Sequence, residues 1–345
     1  MTPDGDSCGS VGGEAVDRAA SGVVIGVLGP TGVGKTAVAT ALARRLGTRV
    51  ISCDSMQVYR GFPVLTNQPT LEEWDGVTHE LVGIVEPTAE FSAAEYASRA
   101  RPLIDEDLAR HATALVVGGT GLYMRAALAP LAVSPAPDLE LRHSLEVRAA
   151  AEGPAALHRE LADRDPVAAA TIDPRNQRRV VRALEVVMRT GSAWSGRQDL
   201  WQPQYFHRTF LTALVLDRKE LYGRIDARAR QIVEGGALEE VRRFREARGE
   251  DSTEVSDVTA PRSGIATAIG VAEIERYLDG VQTLDETVAQ IAAATRHYAR
   301  RQLTWLRKLS DLVIIDVHDR RPGDLVEEIL ALVSSGDHVK EPRDP

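Results

Sequence analysis

Gly29-Pro30-Thr31-Gly32-Val33-Gly34-Lys35-Thr36 follows directly on the apolar run Val23 to Leu28, and an amphipathic stretch from Thr36 to about Leu46 follows it and stops at Gly47. A strand, a turn on the spacing G-x-x-x-x-G-K-[ST] and a helix make a phosphate-binding loop. The glycines let consecutive backbone N–H groups turn toward one oxyanion. Lys35 adds a point charge, and the Thr36 hydroxyl can hold Mg2+ at the helix N-terminus. The chain is therefore expected to bind a di- or triphosphate. Its fold class is expected to be α/β, a P-loop NTPase-like parallel sheet flanked by helices.

What happens to the phosphate depends on a second strand. A P-loop kinase or ATPase offers an apolar strand ending in Asp or Glu to help hold Mg2+. Here the best candidate, Ala114 to Val117, runs instead into Gly118-Gly119-Thr120-Gly121. The other early strand, Arg49 to Cys53, does end in a carboxylate, Asp54. Strand geometry delivers Asp54 to the C-terminal edge of a parallel sheet beside the phosphate loop. There it could be a metal ligand, a general base or a cap for the following turn.

With 345 residues, 43% of them hydrophobic, the chain is long enough to bury a full core. Nothing in it reads as a signal peptide or membrane span, so a cytoplasmic protein is expected. A monomer is expected as well. Cys8 and Cys53 offer neither a disulfide framework nor a zinc site. The net charge of −9 argues against wholesale nucleic-acid binding, yet Arg175, Arg178, Arg179 and Arg182 fall together, as do Arg296, Arg300 and Arg301. Such local basic patches suit a confined polyanion.

Helix and strand alternate at the start: a capping box at Ser92 opens a helix to about Arg110, feeding a strand from Thr113. The expected organisation is a tail over 1–21, the first part of the core over 22–129, and an all-helical insertion over 130–200. The second part of the core follows over 201–334, then a disordered tail over 335–345. Within that second part, Gly235-Gly236 is expected to end a helix begun at Asp217, and two further helices are expected at about Ile265 to Leu278 and Leu284 to Leu309.

Taken in order, the phosphate loop, Asp54-Ser55-Met56-Gln57-Val58-Tyr59-Arg60-Gly61, Gly118-Gly119-Thr120-Gly121-Leu122-Tyr123, Arg178 to Glu185 and Thr295 to Trp305 resemble one family across residues 23 to 316: the tRNA dimethylallyltransferases, or tRNA isopentenyltransferases. The resemblance implies transfer of a dimethylallyl group from dimethylallyl diphosphate to the exocyclic amine of the adenosine just 3′ of the anticodon, with Mg2+ and without ATP. It implies that Gly29, Thr31, Gly32, Val33, Gly34, Lys35, Thr36 and Arg224 hold the diphosphate, with Thr36 on the metal. Asp54 would serve as general base, with Thr120 and Lys35 beside it at the reacting centre. Asp54, Ser55, Met56 and Gln57 would meet the flipped base and its flank, and Arg142, Arg178 and Arg179 the anticodon stem-loop. The chain departs from the family pattern at Gln177, at Val271 and in Leu65 to Thr70, where Gln68 stands in a segment that commonly carries a lysine.

Two other readings compete. An adenylate dimethylallyltransferase acting on free AMP, ADP or ATP would share the diphosphate chemistry, but gains little from the helical stretch Asp138 to Gly191. A small-molecule P-loop kinase is supported by the phosphate loop alone.

Overall fold

The computed structural model describes residues 22–130, 138–191, 194, 202–249 and 264–342. The described residues divide into two compact units, one within 1–130 and 203–345 and one within 131–202.

In the first unit, six parallel strands among the described residues lie in the order β3-β2-β4-β1-β5-β6. They are β1 (Val23–Leu28), β2 (Val50–Ser52), β3 (His79–Glu80), β4 (Thr113–Gly118), β5 (Thr209–Val215) and β6 (Val313–Asp316). The strand β1 is paired on both edges, to β4 with Leu28 opposite Gly118 and to β5 with Leu28 opposite Ala213. A strand covered on both faces and both edges has no polar side, which is why β1 reads as an unbroken apolar run. Because β1, β4 and β2 are neighbours, the turns that leave their C-terminal ends converge on one edge: the phosphate loop, Gly118 to Gly121, and Cys53-Asp54. This is where ligands collect in open α/β sheets.

The helices of this unit begin with α1 (Lys35–Leu46), α2 (Ala93–His111) and α3 (Gly121–Leu128). The expected capping box of α2 is present, Glu95 N–H donating to Ser92 Oγ at 3.2 Å and Ser92 N–H to Glu95 Oε2 at 2.7 Å. The second unit holds α4 (Leu139–Glu152), α5 (Pro154–Arg164), α6 (Pro166–Thr171) and α7 (Gln177–Thr190) around an apolar core that includes Leu157, Leu161, Val180 and Leu184. The first unit resumes with α8 (Arg218–Ile232), α9 (Leu238–Ala247), α10 (Val271–Leu278), α11 (Leu284–Leu306) and α12 (Pro322–Ser335). Among the described residues, no helix is long and apolar enough to cross a membrane.

Gly235-Gly236 ends the helix begun at Asp217, as expected: α8 runs to Ile232, and a kink with Gly236 at φ 122°, outside the helical region, separates it from α9. The buried Val233, Ala237 and Val241 carry the apolar face across the kink. The structure corrects the sequence reading in two other places. The stretch from Ile265 is a short 3-10 turn, Gly264–Thr267, separated from α10 by Gly270 at φ 105°. Nor is the chain beyond Ser335 a disordered tail as far as 342: Thr209 and Lys340 exchange backbone hydrogen bonds of 2.9 and 2.8 Å beside the start of β5. The tails over 1–21 and 343–345, and the proline-rich stretch 131–137, lie outside the described residues.

Candidate active site

The phosphate loop closes on itself around Lys35. Gly32 and Gly34 take φ values of 84° and 100°, a region L side chains avoid, so the loop can curl only with glycine there. The curl brings the Lys35 ammonium to 3.0 Å from the Gly29 carbonyl and 2.9 Å from that of Pro30. Burial pulls this ammonium down to about 8; the Asp54 charge opposes the fall and the Arg228 charge adds to it. Helix α8 packs beneath the loop. A methyl on Gly32 would lie 3.3 Å from Ile225, and one on Gly34 would lie 4.0 Å from the Arg224 guanidinium. Arg224 is thus beside the loop, where it also pairs with Glu220 at 2.7 Å.

One helical turn beyond Arg224 stands Arg228, which sequence reasoning missed. It makes no hydrogen bond or ion pair among the described residues, and burial lowers its pKa against the opposing charge of Glu73. A shielded guanidinium beside Lys35 is a costly arrangement for a protein to keep unless an anion is to sit there. The i, i+4 spacing from Arg224 was the available signal.

The carboxylate side is built from β2 and β4. Asp54 Oδ1 accepts the backbone N–H of Met56 at 2.9 Å and, more weakly, that of Gln57 at 3.4 Å. Oδ2 has no partner among the described residues. One oxygen therefore caps the turn, and the other is available for chemistry. Thr120 holds this turn in place, its Oγ1 accepting Ser55 N–H at 3.1 Å while Thr120 N–H donates to the Cys53 carbonyl at 3.2 Å. Burial pushes the neighbouring Cys53 thiol up, so it stays protonated and inert. Met56 packs on the apolar core around Val58 and Phe62. The Gln57 side chain is occupied locally, accepting from Ser52 Oγ at 3.1 Å and donating to the Asn67 carbonyl. Gln68 fills its own place by donating to the Gln57 and Tyr59 carbonyls at 3.1 and 2.6 Å.

The sequence reading takes the motif Thr295 to Trp305 only as a basic patch and part of the family resemblance, and assigns none of its residues to the site. It lies in α11, and Tyr298, Gln302 and Trp305, at spacings of four and three, share one face. Burial raises the Tyr298 pKa, the Asp54 charge adds to the rise, and a hydrogen bond with Thr120 opposes it. The buried Gln302 accepts Thr31 N–H at 2.9 Å and donates to the Gly119 carbonyl at 2.9 Å. The Thr31 N–H, expected to face the diphosphate, is therefore engaged, and the Val33 N–H donates weakly to the Pro30 carbonyl at 3.4 Å, so the amides of Gly32, Gly34, Lys35 and Thr36 are left to meet an anion. The glycines of the Gly118-Gly119-Thr120-Gly121 turn are close-packing residues: a Cβ on Gly119 would lie 2.2 Å from Gln302 Nε2, and one on Gly121 2.1 Å from the Trp305 ring.

In the helical unit, Arg178 and Arg179 are exposed in the first turn of α7 and make no side-chain ion pair among the described residues. Arg142 is placed differently. Its guanidinium lies 3.2 Å from Glu185 Oε2, a fully buried carboxylate that also takes Arg182 at 2.7 Å and the Asp138 N–H at 2.8 Å. Arg142 thus holds α4 to α7. Gln177 begins α7 on the surface, and Val271 is fully buried at the start of α10.

A phosphate loop and a carboxylate turn joined along one parallel-sheet edge define a P-loop-fold enzyme site. The IPP transferase family model matches residues 57–309, and an isopentenyl transferase model matches 23–86. A tRNA dimethylallyltransferase of Thermomicrobium roseum is 42% identical over 301 residues, 87% of each chain, and one of Geobacillus thermodenitrificans is 39% identical over 90% of this chain and 96% of that one. The crystal structure of the tRNA isopentenylpyrophosphate transferase of Bacillus halodurans, 38% identical, superposes with a TM-score of 0.63 over 90% of this chain and 95% of that one. A eukaryotic dimethylallyltransferase acting on tRNA, 26% identical, reaches 0.75 over 94% and 82%. The chain belongs to the tRNA dimethylallyltransferase family, and it is a transferase.

Proposed function

We propose that the enzyme moves the dimethylallyl group of dimethylallyl diphosphate to the exocyclic amine of the adenosine 3′ of the anticodon, with the phosphate loop and the Asp54 turn as the two halves of the site. The observation that carries this assignment is the arrangement along one sheet edge: shielded Lys35 and Arg228 on one side, and an unengaged Asp54 oxygen beside Thr120 on the other. The C–O bond to the diphosphate breaks, the N–C bond to the adenine forms, and the amine proton passes to Asp54 Oδ2. An adenine amine is a weak nucleophile, so accepting its proton as the bond forms contributes about 10²–10⁴ in rate. Negative charge grows on the departing diphosphate, where Lys35, Arg228 and the free loop amides stabilise the transition state more than the ground state.

The residues present fit Mg2+ carried in with the diphosphate. The Thr36 hydroxyl, at the start of α1, has no partner among the described residues, and no group of three or more His, Cys, Asp or Glu that could hold a metal occurs among them. Mg2+ typically takes one or two protein oxygens, substrate phosphates and water. When bound, it would neutralise charge on the diphosphate oxygens.

For the RNA side, the unpaired Arg178 and Arg179 at the N-terminus of α7 support phosphate contacts. No acidic residue stands in that first turn, so helix dipole and guanidinium charge favour the same anion. Arg142 is left out of this set because Glu185 holds it. The test is transfer with purified protein, dimethylallyl diphosphate, tRNA and Mg2+, with no nucleoside triphosphate. Prenylated tRNA and free diphosphate are expected; a requirement for ATP would overturn the assignment of the loop.

A further inference from the structure

We propose that Gln302 is a positioning residue for the transfer: a single buried amide that sets the distance between the diphosphate-holding loop and the Thr120–Asp54 turn. Its carbonyl oxygen takes Thr31 N–H at 2.9 Å, and its amide nitrogen donates to the Gly119 carbonyl at 2.9 Å. The two partners belong to different strand ends, β1 and β4, and the clamp arrives from a third element, α11. Gly119 precedes Thr120, whose N–H and Oγ1 grip Cys53 and Ser55 on either side of Asp54. A shift of Gly119 is thus carried to the Asp54 carboxylate through two hydrogen bonds, and a shift of Thr31 to the loop around Lys35.

The surroundings leave Gln302 little freedom. Its side chain is 7% exposed, and a Cβ on Gly119 would lie 2.2 Å from its nitrogen, so the loop closes directly over the amide. Three residues on, Trp305 presses on Gly121 with the same closeness, so one face of α11 seats Gly119 and Gly121 while Gly118 packs on the Cys53 backbone. This pairing accounts for two sequence motifs at once: the glycines of one make room for the Gln302 and Trp305 of the other. The geometry also separates positioning from binding. Gln302 faces loop backbone, and both its polar ends are used there. Its loss should therefore misalign the allylic carbon and the amine while leaving most contacts to each substrate. Misplacement on the order of 1 Å is enough to cost about 10²-fold in rate.

The inference rests on Asp54 and the phosphate loop being the two halves of the site, so wild-type transfer is measured alongside every variant. Without wild-type transfer that assignment fails; with it, the variants judge the clamp alone. Gln302→Leu, which removes both hydrogen bonds at similar volume, is expected to lower the single-turnover rate at least tenfold with both KM values within about threefold. A wild-type rate, or a loss confined to KM, would overturn the proposal. Should Gln302→Leu not fold, Gln302→Glu decides. Its ionised carboxylate repels the Gly119 carbonyl, whereas the neutral acid reproduces the acceptor and donor of the amide. The ratio of its rate to that of the wild type should rise at least threefold as pH falls from about 8 to about 6, because burial raises the carboxyl pKa. The rates are compared where thermal melts show Gln302→Glu fully folded at both pH values, so that recovery of the fold does not enter, and a ratio independent of pH would then contradict the clamp.

Discussion

Thr120 accepts the backbone N–H of Ser55 on its side-chain oxygen at 3.1 Å, which fastens the turn after β4 to the turn that carries Asp54. The carboxylate is held by backbone and neighbours, with one oxygen capping and one free. Asp54→Asn keeps an oxygen for the Met56 N–H but cannot take a proton. It is expected to fold normally, bind tRNA within about threefold of wild type and lose about 10²-fold or more in kcat. Asp54→Ala should lose the cap as well, adding about 0.5–2 kcal/mol of destabilisation in a thermal melt.

Lys35 gives the diphosphate side a pH signature. With the pKa drawn down to about 8, it is charged at neutral pH; above 8 the free protein must take up a proton to grip the anion. Wild-type affinity for inorganic diphosphate should therefore fall above pH 8. Its advantage over Lys35→Met should shrink by up to about tenfold per pH unit, one unit being 1.36 kcal/mol. Stability moves the other way. The folded pKa lies below the ordinary 10.5, so the unfolded chain holds more protons between these values, and wild-type stability gains on Lys35→Met as pH rises from 8 to 10.5. Isothermal titration and urea melts at pH 7, 8, 9 and 10 check both trends.

The two kinds of arginine in the helical unit should part company. Arg179→Ala is expected to leave the melting temperature nearly unchanged and to reduce the slope of log affinity for tRNA against log salt by about 0.7 to 0.9. Arg142→Ala removes a partner from the buried Glu185, and should destabilise the protein by about 1.5–3 kcal/mol. Salt-dependent binding and denaturant unfolding distinguish the two.

Much of this was legible in the chain because the sheet is parallel and buried. The phosphate loop, the run into Asp54 and the strand before Gly118 each announce themselves by apolar stretches that stop at a chemically special turn. Less visible was anything that depends on elements distant in sequence. Gln302 meets Thr31 across 271 positions, and no local pattern indicates that an amide in an amphipathic helix closes a loop. Arg228 looked like any helix arginine until its lack of an ion pair became visible, and Arg142 looked like a surface cation although Glu185 holds it. Gly235-Gly236 was legible because its signal is local: Gly236 leaves the helical region at φ 122°, and the helix begun at Asp217 stops there although the apolar face on either side is buried in one core.

The glycines of the β4 turn should respond according to what each approaches. Gly118→Ala would drive a methyl to 1.9 Å from the Cys53 carbonyl, which is backbone and cannot swing aside, so a loss of stability of about 1–3 kcal/mol or more is expected. Gly119→Ala clashes with the amide end of the Gln302 side chain and reaches backbone, the Gly29 carbonyl, only at an ordinary 3.5 Å. It should fold with a smaller penalty while reproducing the kcat defect of Gln302→Leu. Melting curves with single-turnover rates on the two variants provide the comparison.

The most direct test follows the adenosine itself. Wild type and Asp54→Asn are given the same anticodon stem-loop, dimethylallyl diphosphate and Mg2+ without nucleoside triphosphate, and the RNA is digested and read by mass spectrometry over time. The expected result is one dimethylallyl group on the adenosine 3′ of the anticodon, with the Asp54→Asn rate lower by about 10²-fold or more. Modification elsewhere, or an Asp54→Asn rate within about threefold of wild type, would contradict the account.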